Sequence, residues 1–317
     1  MTLGNPLPPT GRLAPSPTGG LHLGHARTSL VAWVAAKSLG GRIVLRIEDL
    51  DAGRVRPEAI SSIMEDLNWL GLGWDEGPYV QSSRKETYQR ALDVLRERNL
   101  VYPCTCTRAD VARAASAPHA EDEGPVYPGT CSCRSASDAS SLGDPHAWRF
   151  RVPKGAIAWH DQFRGATEID PSRHGGDFVV ARSDGSFSYQ LAVVVDDASM
   201  HVTQVVRGDD LVSSTPRQLL LYDALSLKSP SFAHLPLAVG PDGKRLAKRD
   251  GSIKLATLRA EKVNPRVLIG RLAQSCQWSD RLIESEPADW LKTPRPLNFS
   301  AAPWVVSRAD SPYFPSP

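Results

Sequence analysis

Apolar positions in the first hundred residues switch between two spacings. Residues 11–15 make a short run that ends at Pro15, and the turn cluster Ser16-Pro17-Thr18-Gly19-Gly20 follows. From Leu23 to Leu39 apolar side chains recur at helical spacing, and Gly40-Gly41 stops the pattern. Residues 43–47 form a mainly apolar run of strand length, closed by Glu48-Asp49. Pro57 stands where the first residue of a helix reaching Leu70 belongs. Ser83 with Glu86 reads as a capping box for a helix to about Asn99. The order strand, helix, strand, helix, helix predicts an α/β chain with a parallel nucleotide-binding sheet.

The middle reads differently. Residues 101–146 carry four of the cysteines, an acidic patch (Glu121-Asp122-Glu123) and a Ser-rich stretch at 132–141. Strand patterns follow at 147–152, 177–182 and 187–195. This predicts an insertion in the nucleotide-binding domain. The α/β pattern resumes with His201 to Arg207, followed by a helix from about Thr215 to Leu225 and a strand from His234 to Val239. Asn264-Pro265 opens a helix to about Gln277, and the Pro- and Trp-containing residues after it predict an extended tail. The organisation expected is 1–102 as the first half of a Rossmann domain, 103–190 as the insertion, 191–240 as the second half, and 241–317 as a basic loop, a helical region and a Pro-rich tail.

Composition narrows the class. With 41% apolar and 23% charged residues and no apolar run of membrane-spanning length, a soluble, cytoplasmic chain is expected. The first residues lack a charged leader followed by an apolar stretch. The net charge of +2 is uninformative, but nine Lys/Arg between Lys244 and Arg271 face only Asp250 and Glu261. Such a run suits phosphate or nucleic acid, or is a solvated helix face. Five cysteines make a disulfide framework a poor reading. The pairs Cys104-Thr-Cys106 and Cys131-Ser-Cys133 suggest a soft metal site, most simply zinc, or else reduced thiols. Cys276 in its helical pattern reads as core.

The chemistry concentrates in Gly20-Leu-His22-Leu-Gly24-His25, set between a strand and a helix. A helix start presents free N–H groups and a positive dipole to an anion, Gly24 permits close approach, and two histidines three residues apart can reach one phosphate. A basic loop, Gly243-Lys-Arg245-Leu-Ala247-Lys248-Arg249, follows the last apolar strand. Two phosphate-binding elements at opposite ends of one α/β domain fit an ATP clamp for attack at a phosphate.

These segments carry a resemblance. Arg12-Leu13-Ala14-Pro15-Ser16-Pro-Thr-Gly-Gly-Leu-His22-Leu-Gly24-His25 resembles the HIGH region of class I glutamyl-tRNA synthetases. Leu45-Arg-Ile-Glu48-Asp49, Arg207-Gly-Asp209-Asp210 and the basic loop resemble their second strand end, glutamate-site segment and KMSKS-type loop. Only 68 residues follow Arg249, fewer than anticodon-binding domains need. With the Cys cluster, that resembles the truncated paralogous family, the glutamyl-Q tRNA(Asp) synthetases. A class I synthetase Rossmann fold with a zinc insertion and no anticodon-binding domain is implied. So are activation of L-glutamate by ATP with Mg²⁺, and transfer to the queuosine base at the wobble position of tRNA(Asp). The partner would be the anticodon stem-loop of that tRNA, and the simplest assembly a monomer. The competing readings are a minimal synthetase charging a tRNA 3′ end, and a non-catalytic RNA-binding paralogue.

The resemblance also implies roles. Arg12, Ser16, Glu48, Tyr189 and Arg207 would hold glutamate. Arg12, Leu13, Ala14, Pro15, Ser16, His22, Gly24, His25, Arg245 and Lys248 would line the ATP site. His22, His25 and Lys248 would stabilise charge on the phosphates. Cys104, Cys106, Tyr127 and Cys131 would hold one structural Zn²⁺, with Cys133 as an alternative to Tyr127. The basic loop departs from the pattern: Arg245 replaces Lys and Ala247 replaces Ser, which keeps charge and loses one hydroxyl.

Overall fold

In a computed structural model of the chain, residues 7–114, 126–143, 145–243, 254–293 and 296–306 are described. Arg245, Ala247 and Lys248 of the basic loop, and the acidic patch at 121–123, lie outside them. The first half contains β1 (Thr10–Leu13), α1 (Leu23–Lys37), β2 (Arg42–Ile47), α2 (Pro57–Trp69), β3 (Glu76–Val80) and α3 (Lys85–Glu97). The middle holds β4 (Val101–Cys104), α4 (Arg108–Ala114), β5 (Ala147–Phe150), β6 (Ile157–Asp161), β7 (Gly165–Ile169) and β8 (Phe178–Ala181). Then come α5 (Tyr189–Ser199), β9 (Gln204–Gly208), α6 (Ser214–Ala224), β10 (Ser231–Leu235), β11 (Ala238–Val239), α7 (Leu255–Ala260), α8 (Pro265–Ser275) and β12 (Trp304–Val305).

Strands β1, β2 and β3 pair in parallel, in register from Thr10↔Arg42 to Leu13↔Leu45. A second parallel set runs β9, β10, β6, with β7 returning antiparallel. The two sets meet at β1 and β9, where the Thr203 N–H donates to Thr10 O at 2.9 Å and the Thr10 N–H donates to Thr203 Oγ1 at 2.9 Å. The strand order therefore reverses between β1 and β9. In doubly wound sheets ligands bind outside the carboxyl ends of the strands at that point. Arg12, Glu48 and Arg207 all lie there.

Helix α1 is rich in Ala, Val and Leu because it is enclosed: Ala26, Leu30, Val31 and Val34 have no exposed surface. Each fully buried large apolar side chain of this layer contributes about 1.5–3 kcal/mol. A separate three-stranded antiparallel sheet, β4-β5-β8, lies in the middle segment. The expected tail is described over 278–293 and 296–306. Its β12 adds in parallel to β11, with Trp304 N–H donating to Leu237 O at 2.9 Å and Val306 N–H to Val239 O at 2.8 Å.

Three expectations need correction. Residues 187–195 form no strand: Ser188 caps α5, accepting from the Leu191 N–H at 3.4 Å, and the run Leu191–Val195 is buried on several sides of one helix. Ser83 caps nothing, since its hydroxyl donates to Val80 O at 2.7 Å within a short 3-10 turn, and α3 starts at Lys85. The strand expected from His234 to Val239 is two pieces, β10 and β11, and β10 begins earlier, at Ser231. Strand β3 and the hairpin β6–β7 gave no recognised signal.

Candidate active site and cysteine cluster

The start of α1 is built by its own histidines. His22 is the N-cap, its Nδ1 accepting from the Gly24 N–H at 3.1 Å, and His25 Nδ1 accepts from the His22 N–H at 3.4 Å. The two rings stack with centroids 3.7 Å apart. A Cβ on Gly24 would lie 3.1 Å from the His22 ring and 3.4 Å from Ala238, so glycine here has a packing reason as well. Lys254 bridges to His22, and the Leu255 N–H donates to Leu21 O at 2.9 Å. The exit of the basic loop is thereby laid against the first motif. Leu13 points into the core, Ala14 and Pro15 are half-buried and Ser16 is exposed, with its carbonyl accepting from the Thr18 N–H.

At the carboxyl end of β2 lies a buried charge network. Arg46 is fully buried and reaches Asp197 at 2.6 Å, Glu48 at 3.0 Å and Asp196 at 3.9 Å. Burial opposes its charge, but the three carboxylates outweigh that and raise its pKa well above the ordinary value. Arg12 joins the network through Asp197 at 3.4 Å. Asp196 also accepts from Arg84 at 2.7 Å, Gln81 at 2.8 Å and Tyr88 at 2.8 Å. Glu48 is thus oriented by Arg46, and Arg12 by Asp197.

Arg207 is likewise buried, but its partners are neutral. Its Nε donates to His234 Nε2 at 2.9 Å, and its terminal nitrogens to Gln218 at 2.9 Å, Thr215 at 2.8 Å and the Tyr189 hydroxyl at 3.4 Å. Behind it, His234 Nδ1 meets Asp161 Oδ2 at 2.5 Å. Burial, reinforced by Arg207 and opposed by the Asp161 hydrogen bond, keeps the His234 pKa below its ordinary value. Asp161 is held at about 2: burial works against its charge, and hydrogen bonds from His234 and backbone N–H groups prevail.

In the middle segment the sulfurs of Cys104, Cys106 and Cys131 all lie within 4.8 Å of one another. Cys106 and Cys131 are 3.7 Å apart, close to the ~3.8 Å edge of a tetrahedron with Zn–S bonds of about 2.3 Å. The Tyr127 hydroxyl lies 3.4 Å from the Cys104 sulfur and 3.8 Å from that of Cys106, and accepts from the Cys131 N–H at 2.9 Å. Cys133 is exposed and outside the group. The set fits a soft cation: three thiol ligands and one hydroxyl, with Arg149 Nε donating to Cys104 Sγ at 3.3 Å and its guanidinium over the Tyr127 ring. Cys276 is a buried core residue.

The structure brings Arg12, Glu48, Tyr189 and Arg207 to one end of the sheet. Sequence reasoning missed Arg46, Asp161, Asp196, Asp197, His234 and Arg149. Several had a readable signal: a charged or imidazole side chain inside an apolar run, as in Arg46 between Leu45 and Ile47, Asp196-Asp197 after three valines, and His234 between Ala233 and Leu235.

The parallel sheet with its capped His-x-Gly-His helix at the switch point is the catalytic domain of a class I aminoacyl-tRNA synthetase, as the match to that family shows. The family model for class I tRNA synthetases (E and Q), catalytic domain, matches residues 10–281. A glutamyl-Q tRNA(Asp) synthetase of Symbiobacterium thermophilum is 51% identical, over 83% of this chain and 85% of that protein. A glutamate–tRNA ligase of Halorhodospira halophila is 43% identical, over 83% of this chain but 56% of that protein. The crystal structure of a glutamate tRNA ligase from Elizabethkingia meningosepticum, in complex with its amino acid, matches at a TM-score of 0.81 with 28% identity, covering 94% of this chain and 67% of that one. The chain belongs to the glutamyl-Q tRNA(Asp) synthetase family.

No helix among the described residues is long and apolar enough to cross a membrane.

Proposed function

We propose that the chain condenses L-glutamate with ATP and transfers the glutamyl group to the queuosine base of tRNA(Asp). The observation that carries the amino-acid half is Arg207, a buried guanidinium held only by neutral groups beside Tyr189, and so suited to an acidic ligand. Arg207 and Tyr189 would take one carboxylate of glutamate, with Arg12 beside them, and Glu48 would accept from the α-ammonium. The glutamate α-carboxylate attacks the α-phosphorus of ATP, the bond to the bridging oxygen breaks, and pyrophosphate leaves. His22 and His25 at the start of α1 would stabilise the charge that develops, together with Lys248. Leu13–Ser16, Gly24 and Arg245 would complete the ATP site, and Mg²⁺ would arrive with ATP. A queuosine hydroxyl then attacks the glutamyl carbonyl, AMP leaves with the bonding pair, and the hydroxyl proton passes to solvent. No covalent enzyme intermediate is required, so the protein contributes positioning and electrostatics.

Cys104, Cys106, Tyr127 and Cys131 would hold one Zn²⁺, which would staple a segment with a small core of its own. The acceptor reading rests on matching extents: the relative named for queuosine tRNA is matched over most of its length and the 3′-end ligase over about half. The test is transfer of labelled glutamate to tRNA(Asp) carrying queuosine or guanine at the wobble position. Label on the queuosine sample alone is expected. Equal labelling of both would point to the 3′ end, and label on neither, with strong ATP/pyrophosphate exchange, would refute the acceptor.

A further inference from the structure

Arg207 presents an electrostatic problem. A buried cation is normally held by a carboxylate, because an uncompensated buried charge is costly. Among the described residues, no carboxylate lies within ion-pairing distance of Arg207. The nearest anion on its line of hydrogen bonds is Asp161, one residue removed. Between them stands His234, whose ring is buried and used at both nitrogens.

The proton positions follow from the partners. A guanidinium has no acceptor, so His234 Nε2 must present a lone pair to Arg207 Nε–H. A neutral ring then carries its proton on Nδ1, pointing at Asp161. A protonated ring would set N–H against N–H. Asp161 is fixed as an anion by three backbone donors, Phe163 and Arg164 at 3.0 Å each and His234 at 3.1 Å, besides the imidazole. Its place is secured by the strand pairing Phe232↔Asp161, which brings β6 beside β10.

We propose that Asp161 and His234 are positioning residues for glutamate recognition, fixing the Arg207 guanidinium through a neutral imidazole so that its charge stays available to the substrate carboxylate. A carboxylate placed directly on Arg207 would orient it equally well and neutralise it. The neutral relay orients without neutralising. Arg12, by contrast, is already paired with Asp197, so Arg207 is the less compensated of the two arginines that act on each other in this pocket. The inference rests on the glutamate reading given above.

Glutamate-dependent ATP/pyrophosphate exchange tests it, using the full chain and the substitutions His234→Asn, His234→Gln and Asp161→Asn. Asn can keep the donor toward Asp161 but leaves Arg207 Nε–H without an acceptor. Gln can place its amide oxygen where Nε2 was. The KM for glutamate is expected to rise about tenfold or more in His234→Asn, the worth of one hydrogen bond to a charged group, and about threefold or less in His234→Gln. The KM for ATP and kcat should stay within about threefold in both, a split that general unfolding would not produce. Asp161→Asn should raise the glutamate KM by about threefold or more. A parent-like glutamate KM in His234→Asn, no rescue by Gln, or a parallel rise for ATP and glutamate overturns the proposal. If His234→Asn does not fold, Asp161→Asn decides, and an unchanged glutamate KM there overturns it. A parent chain with no glutamate-dependent exchange would instead refute the glutamate reading itself.

Discussion

Replacing Arg46 by Met removes the cation from a site that holds three carboxylates. Breaking a buried ion pair by deleting one partner costs about 3–5 kcal/mol, because the remaining charge is left without compensation. The contacts decide where in that range this case falls. Asp196 keeps Arg84, Gln81 and Tyr88, all within 2.8 Å, so it stays satisfied. Asp197 keeps Arg12, at 3.4 Å, and Glu48 keeps no other side-chain partner among the described residues. The loss therefore falls on Asp197 and Glu48, at the lower end, about 3 kcal/mol. Arg46→Lys retains charge without the fork and should recover part of it. Urea unfolding of the parent and both variants at neutral pH measures this, with the slope checked for constancy. A loss below about 1 kcal/mol for Arg46→Met would refute the view that the network is compensated chiefly by this residue. Glu48 should also lose its orientation, so the glutamate KM should rise in the same variant.

Three further outcomes are expected. Elemental analysis of the purified chain should find about one zinc per chain, lost in Cys104→Ser and Cys106→Ser and retained in Cys133→Ser. Stability should fall on acidification in two steps. The folded chain keeps His234 neutral below its ordinary value of 6.5 while the unfolded chain takes up a proton, and Asp161, held at about 2 against an ordinary 3.8, adds a loss as pH falls through that interval. Denaturant titrations from pH 8 to pH 3 check this, and His234→Gln should abolish the first step and shrink the second, because it also removes the imidazole hydrogen bond to Asp161. Asp66, buried between α2 and α7 and paired with Arg259 at 3.3 Å, has the opposite sign. Burial outweighs Arg259 and pushes it up to about 6, so the folded chain holds a proton that the unfolded chain has released, and stability drops as pH rises from 3.8 to about 6. Asp66→Asn should therefore gain on the parent in unfolding free energy between pH 4.5 and pH 7.5.

The parallel core was legible where one physical signal dominated. Residues 23–39 and 43–47 have clean periodicity and Gly punctuation, and α1 and β2 lie within two residues of their expected limits. Strand β3, Glu-Gly-Pro-Tyr-Val, has a Gly and a Pro and is partly exposed, so no alternation marks it. Residues 187–195 read as a strand because a helix buried on several sides and a buried strand both present an unbroken apolar run, and a segment of that length does not separate them. The motif histidines and Arg12, Glu48 and Arg207 are nameable because they sit in contiguous motifs, whereas Tyr189 lies in none of them. Asp161 and His234 are 73 residues apart and meet only through the β6–β10 pairing, which no local pattern announces.

The pairing of β12 with β11 bears on how the molecule is handled. The chain leaves Val306 beside Val239, on the strand that leads into the basic loop, and Arg27 of α1 lies against both Phe299 and Trp304. An insertion placed directly after Val306 would thus enter beside β11, whose Ala238 lies 3.4 Å from where a Cβ on Gly24 of the His-x-Gly-His motif would stand. At the other end of these strands the Pro9 carbonyl accepts from the Arg42 N–H, at the amino ends of β1 and β2 and away from Arg12, Glu48 and Arg207. Insertions at that end of the sheet leave the motif undisturbed.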